Sequence, residues 1–91
     1  NLVTTLSDAR CAKAKYTGIY EDGIKYALNK FSSIKNVYNY MDIAHSAWLG
    51  WDDNRAAAIL LYTQLIQGTT AGFASVNGFA TDTANVTPLV E

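Results

Sequence analysis

The segment IKNVYNYMDIAHSAWLG, residues 34–50, contains the only His and the only Met of the chain. Its reading decides the fold. Ile34, Val37, Tyr38, Met41, Ala44, His45 and Trp48 recur at spacings of three and four, so they share one face of a helix. Lys35, Asn39, Asp42 and Ser46 share the other. This pattern predicts an amphipathic helix over 32–49, with Ser32 and Ser33 before it and Gly50 ending it.

The next segment, WDDN, restarts the chain, with Asp52 or Asp53 as the cap of a helix over 53–67. That helix is apolar almost all round. Ala58, Ile59, Leu61, Tyr62, Leu65 and Ile66 cover most of its circumference, and Leu60 falls on the side of Gln64 and Gln67. A helix with so little wet perimeter is either central in a fold or shared with a partner. Gly68 suits its end.

Upstream, Ser7 followed by Asp8 reads as a helix start, and Ala9, Ala12, Tyr16 and Tyr20 follow at helical spacing, giving a helix over 7–20. Gly18 and Gly23 weaken helix by about 1 kcal/mol each relative to Ala and predict a break between Thr17 and Gly23. EDGIKYALNKF resumes as a helix over 21–31. Glu21 precedes Lys25 by four and Lys30 lies in the last turn, placements that suit side-chain pairing and the macrodipole. Its buried stripe is expected to be Ile24, Ala27, Leu28 and Phe31. Downstream, TTAGFASVNGFATDTANVTPLVE carries no Lys or Arg. Phe73, Val76 and Ala80 predict a short helix over 70–80, followed by a tail over 82–91. No segment shows sustained strand alternation. The expected fold class is therefore all-α: one domain over 1–91, a small antiparallel bundle of three to four helices with a loosely structured C-terminal segment.

Composition narrows function. The 91 residues are 49% hydrophobic and only 16% charged, with a net charge of −1. The low charge suggests a surface partly covered by something else. Residues 1–35 are mildly basic and the rest acidic, too weakly for a nucleic-acid footprint. A lone Cys11 permits no internal disulfide and points to pairing between chains or to a buried thiol. The chain begins with Asn1, which predicts a removed leader or a fragment, and with it a secreted protein. Asn85-Val86-Thr87 matches a glycosylation acceptor, with Pro88 placed to hinder it. No apolar run has the length of a membrane span. The Gly-rich segment before Asp82 allows membrane contact, but it lacks the cationic face such contact favours.

His45 is the sharpest candidate residue. Between Met41 and Trp48 it could ligate haem or line a pocket for an apolar small molecule; the ordinary alternative is a hydrogen-bonded core imidazole. No second His and no HxxxH or CxxC spacing supports a metal. Asp42, His45 and Ser46 invite a nucleophilic triad, but consecutive residues on one helix splay their side chains by about 100°. WDDN lacks the spacing of a calcium loop. No phosphate loop or dinucleotide fingerprint is present, so no cofactor is expected. Six Tyr and two Trp suit an interface, for which Leu60, Tyr62, Trp51 and Cys11 are the candidates.

The expected function is a small, non-catalytic, secreted helical protein, a toxin- or effector-like subunit. It would act by association with itself as a homo-oligomer, with a second chain of one precursor, or with a target protein. The alternatives are a carrier of haem or an apolar molecule near His45, and an enzyme using His45.

Overall fold

The computed structural model describes residues 8–84. The expected cap Ser7, the acceptor Asn85 and most of the expected tail lie outside them. Within them the chain is not an all-α bundle. It runs α1 (Ala9–Tyr16), α2 (Ile19–Ser32), β1 (Tyr40–Asp42), α3 (Ser46–Leu49), α4 (Asp52–Gln67), a 3-10 turn (Gly72–Ser75) and β2 (Gly78–Ala80). The strands are parallel, with Tyr40, Met41 and Asp42 opposite Gly78, Phe79 and Ala80. Two parallel strands cannot be joined by a tight turn. Here α3 and α4 form the crossover, so residues 40–80 are one β-α-β unit.

Local chemistry explains α1, α2 and α4. Asp8 caps α1 by accepting the Arg10 backbone N–H at 2.8 Å. Gly18, at φ 68°, takes the left-handed conformation between α1 and α2, where a residue without Cβ is unstrained. The predicted break is thus real, and Gly23 is carried inside α2. Glu21 and Asp22 open α2 and Lys30 closes it. Leu28 is buried, but Phe31 is half exposed, so the expected stripe is narrower by one residue. Helix α4 matches its prediction within a residue. Its cap position is Trp51, with Asp52 and Asp53 in the first turn.

The predicted helix over 32–49 is the main correction. Residue Asn36 adopts φ 72°, which ends helical geometry. After it the backbone extends into β1, where Met41 is buried between exposed Tyr40 and Asp42. That alternation has period two, and the helical spacing of Ile34, Val37 and Met41 was coincident with it. Ile34, Val37 and Tyr38 are exposed, not core. The predicted helix over 70–80 is likewise replaced by the 3-10 turn and β2.

Two asparagines start the strand pair. Asn77 N–H donates to the Asn39 carbonyl at 2.8 Å, Asn39 N–H donates to Asn77 Oδ1 at 2.8 Å, and Asn39 Nδ2 donates to the Ser75 carbonyl at 2.9 Å. The core lies where α2, β1 and α4 meet. Leu28, Met41, Leu65 and Ile66 are buried together, with Ile24, Tyr62 and Val76 packed against them. One side of α4 is not covered: Ile59 and Leu60 are about three-fifths exposed, while Ala58 is buried. Among the described residues no helix is long and apolar enough to cross a membrane.

Candidate active site

In sheets built from β-α-β units, ligands gather at the C-terminal ends of the strands, where side chains and loop backbone converge. Here that end is marked by Asp42, the last residue of β1, and by the turns that leave both strands. The ladder continues one bond past β1, with Ile43 N–H donating to the Ala80 carbonyl at 3.0 Å. Beyond it, two non-glycine residues adopt positive φ: Ala44 at 95° and Asp82 at 57°. Such conformations cost on the order of 1–3 kcal/mol each and persist only where neighbours over-determine them. The neighbours are present. Asp42 Oδ1 accepts the Ala44 N–H at 2.9 Å, Asp82 N–H donates to the Ala44 carbonyl at 3.2 Å, and Asp82 Oδ1 accepts Ser46 N–H at 3.0 Å and Ser46 Oγ–H at 3.2 Å.

These turns enclose a cleft of about 150 Å³ lined by Asp42, Ala44, His45, Asp82, Thr83 and Ala84. The Thr83 hydroxyl donates to Asp42 Oδ2. That bond, followed by the Ala44 N–H, holds the Asp42 carboxyl below its ordinary range, against a smaller opposing push from the Asp82 charge. Asp42 is therefore an exposed, ionised carboxylate with both oxygens hydrogen-bonded.

From His45 the chain enters α3, then turns at Gly50 into α4. The corner is tied by side chains of α4. Asn54 Nδ2 donates to the Trp48 carbonyl at 3.1 Å, and the Arg55 guanidinium reaches the Leu49 carbonyl at 3.2 Å while pairing with Asp52. It leaves the Trp51 indole 71% exposed, which is high for so large an apolar surface. Behind the corner, a second hollow of about 370 Å³ is almost wholly apolar and includes Ile43, Leu49, Ile59, Phe73 and Phe79.

The sequence-predicted residues separate accordingly. His45 is half-buried at the cleft, as the residue before α3. Met41 is in the core and Trp48 is half-buried on α3. The three do not form the pocket of a bundle interior, because there is no bundle; the carrier reading loses its site with the helix over 32–49. The argument against an Asp42–His45–Ser46 grouping also assumed that helix; the turn brings Asp42 and His45 to one cleft, while Ser46 is bonded to Asp82. Of the interface candidates, Leu60 and Trp51 are exposed, Tyr62 packs on the core, and Cys11 is exposed on α1, which buries no residue. Burial raises the Tyr62 hydroxyl pKa, with a smaller push from Asp42. Asp82 and Thr83 were missed as site residues. The only signal for them was a polar run after the apolar GFA, legible once GFA is known to be a strand. Among the described residues no group of three His, Cys, Asp or Glu could hold a metal.

The comparisons with known proteins agree with a catalytic setting. The family model Glycosyl hydrolases family 6 matches residues 1–90. The chain is 50% identical over 91 residues to Exoglucanase A of Cellulomonas fimi, covering all of this chain and 10% of that protein. It is 37% identical over 92 residues to the 1,4-beta-D-glucan cellobiohydrolase CEL6B of Podospora anserina, covering 98% of this chain and 21% of that one. The structure of the catalytic domain of Cellulomonas fimi Cel6B superposes with a TM-score of 0.88 at 50% identity, covering 98% of this chain and 20% of that chain. This chain thus spans a tenth to a fifth of these relatives. The matches overturn the expectations of a non-catalytic association protein, of a toxin or effector, and of an all-α bundle. The chain belongs to glycosyl hydrolase family 6.

Proposed function

We propose that this segment supplies one wall of the active site of a secreted glycoside hydrolase acting on β-1,4-linked glucan. The observation that carries the reading is Asp42, a carboxylate kept ionised by Thr83 and Ala44 at the C-terminal end of a parallel strand pair, beside His45. Glycoside hydrolysis uses one carboxylic acid with a raised pKa as proton donor and one carboxylate that remains charged. Asp42 has the environment of the second. It would stabilise the positive charge of an oxocarbenium-like transition state or orient an attacking water, with His45 hydrogen-bonding a sugar hydroxyl. The proton donor then comes from another part of the longer protein.

The exposed Trp51 indole offers a flat apolar face of the kind that stacks on a sugar ring, on the corner that leads away from His45. The substrate class follows from the printed activities of the relatives, which are glucanases and cellobiohydrolases. Crystalline glucan does not cross a membrane, so such an enzyme works outside the cell, in accord with the expected secretion. In this reading the uncovered apolar surface at Ile59, Leu60, Phe73 and Phe79 packs against the rest of the same domain.

The test is made in the full-length enzyme. Asp42→Asn lowers kcat on soluble cello-oligosaccharides by about 10²-fold or more. Trp51→Ala weakens oligosaccharide binding without lowering the melting temperature. Wild-type turnover by Asp42→Asn would remove Asp42 from the chemistry and the reading with it.

A further inference from the structure

We infer that Asp82 is a positioning residue for this site: from the turn that leaves β2 it clamps the turn Ile43–Ser46 and thereby holds His45 beside Asp42. The inference rests on the proposed hydrolase reading and extends it to a residue that makes no contact with substrate in that reading.

Two observations carry it. Helix α3 is only four residues long, and His45, at its cap position, makes no side-chain capping bond. The carboxylate that accepts the Ser46 N–H and hydroxyl comes instead from Asp82, 36 residues away in sequence. A cap supplied from the turn after the other strand leaves the imidazole free of capping duty, so that it lines the cleft. The second observation is the pair of positive-φ residues. Ala44 and Asp82 meet across the end of the ladder, Asp82 N–H on the Ala44 carbonyl. Past Ala80 the two exits are joined by the Thr83 hydroxyl on Asp42 and by Asp82. The backbone and carboxylate of Asp82 hold the turn on both sides of His45.

The alternatives in the molecule are weaker. Cys11 is a single exposed thiol, exposed Tyr16, Tyr20 and Tyr26 have nothing to indicate what covers them, and the apolar hollow behind α3 is accounted for by the rest of the domain.

The experiment is a double-mutant cycle in the full-length enzyme, read as kcat/KM on a soluble cello-oligosaccharide. Asp82→Ala is expected to lower kcat/KM by at least tenfold, and His45→Ala by a comparable factor. The double variant is expected to be no worse than the poorer single one, because Asp82 acts through His45. Asp82→Asn keeps an acceptor oxygen for Ser46 and is expected to recover most of the loss, whether or not its melting temperature differs from that of Asp82→Ala. Losses that multiply in full, or an Asn variant no better than the Ala variant, would overturn the inference while leaving the hydrolase reading intact. If His45→Ala itself leaves kcat/KM unchanged, the role given to His45 falls, and the inference falls with it.

Discussion

Tyr40 packs its ring against Gly78, its register partner: a Cβ on Gly78 would stand 2.7 Å from Tyr40 Cε1 and 3.0 Å from Cδ1. The glycine is favoured by that close approach. The ring is about two-thirds exposed, so it can swing outward. Gly78→Ala is therefore expected to cost no more than about 1 kcal/mol, since the cost of displacing the ring is offset in part by the reduced entropy of the unfolded chain. In a Tyr40→Ala background the same change should be neutral or stabilising. Urea unfolding of the wild type and the three variants measures this, and a Gly78→Ala cost that survives loss of the ring would show that something other than Tyr40 excludes the methyl.

Leu65 is fully buried and Met41 nearly so, and they belong to the same cluster. Truncating either to Ala should cost about 2–5 kcal/mol, the range for deleting buried methylenes that leave a cavity. A loss under about 0.5 kcal/mol for Met41→Ala, measured by denaturant midpoint, would place that side chain on the surface.

The end of α4 is sealed by two buried hydroxyls. The Thr69 hydroxyl donates to the Ile66 carbonyl at 2.6 Å and lies 3.1 Å from Ser75 Oγ, itself fully buried. Thr69→Val keeps the shape and removes the donor, leaving buried polar groups with fewer partners. We expect a loss of about 1–3 kcal/mol, whereas Thr69→Ser, which keeps the hydroxyl, should preserve most of the wild-type stability. A Val variant as stable as the wild type would make the contribution one of packing alone.

Asp42 predicts a pH dependence with a definite sign. Its carboxyl titrates below its ordinary range in the folded chain. Its contribution to stability is therefore complete above the unfolded-state value of about 4 and disappears as pH falls through the lower folded value. The amplitude is small because the group is solvent-exposed. Asp42→Asn should flatten the acid limb of unfolding free energy below about pH 4 and leave the neutral region level. Thr83→Ala should shift that limb upward in pH. An unaltered limb in Asp42→Asn would assign the acid sensitivity to other carboxylates.

Part of this architecture was legible before any coordinates. The helices α2 and α4 carry their own signals: acids in the first turn, a lysine in the last turn of α2, and Gly68 at the end of α4. Those are interactions between residues three or four apart, and a linear sequence contains them. The stretch Asn36–Trp48 contained a competing signal. Its apolar residues recur at helical spacing, while three residues of strand are too few to display alternation.

The chain by itself determined two of the helices, the glycine break before α2, and the membership of Leu28, Met41, Leu65 and Ile66 in apolar segments. Only the tertiary structure decided that Tyr40–Asp42 is a strand. Its backbone bonds go to Gly78–Ala80, some forty residues on, and no local pattern encodes a parallel partner across a two-helix crossover. The cleft followed from that pairing: Asp42, His45 and Asp82 become neighbours because two strands end side by side, and hydrogen bonding between distant segments outweighed the helical spacing of the side chains.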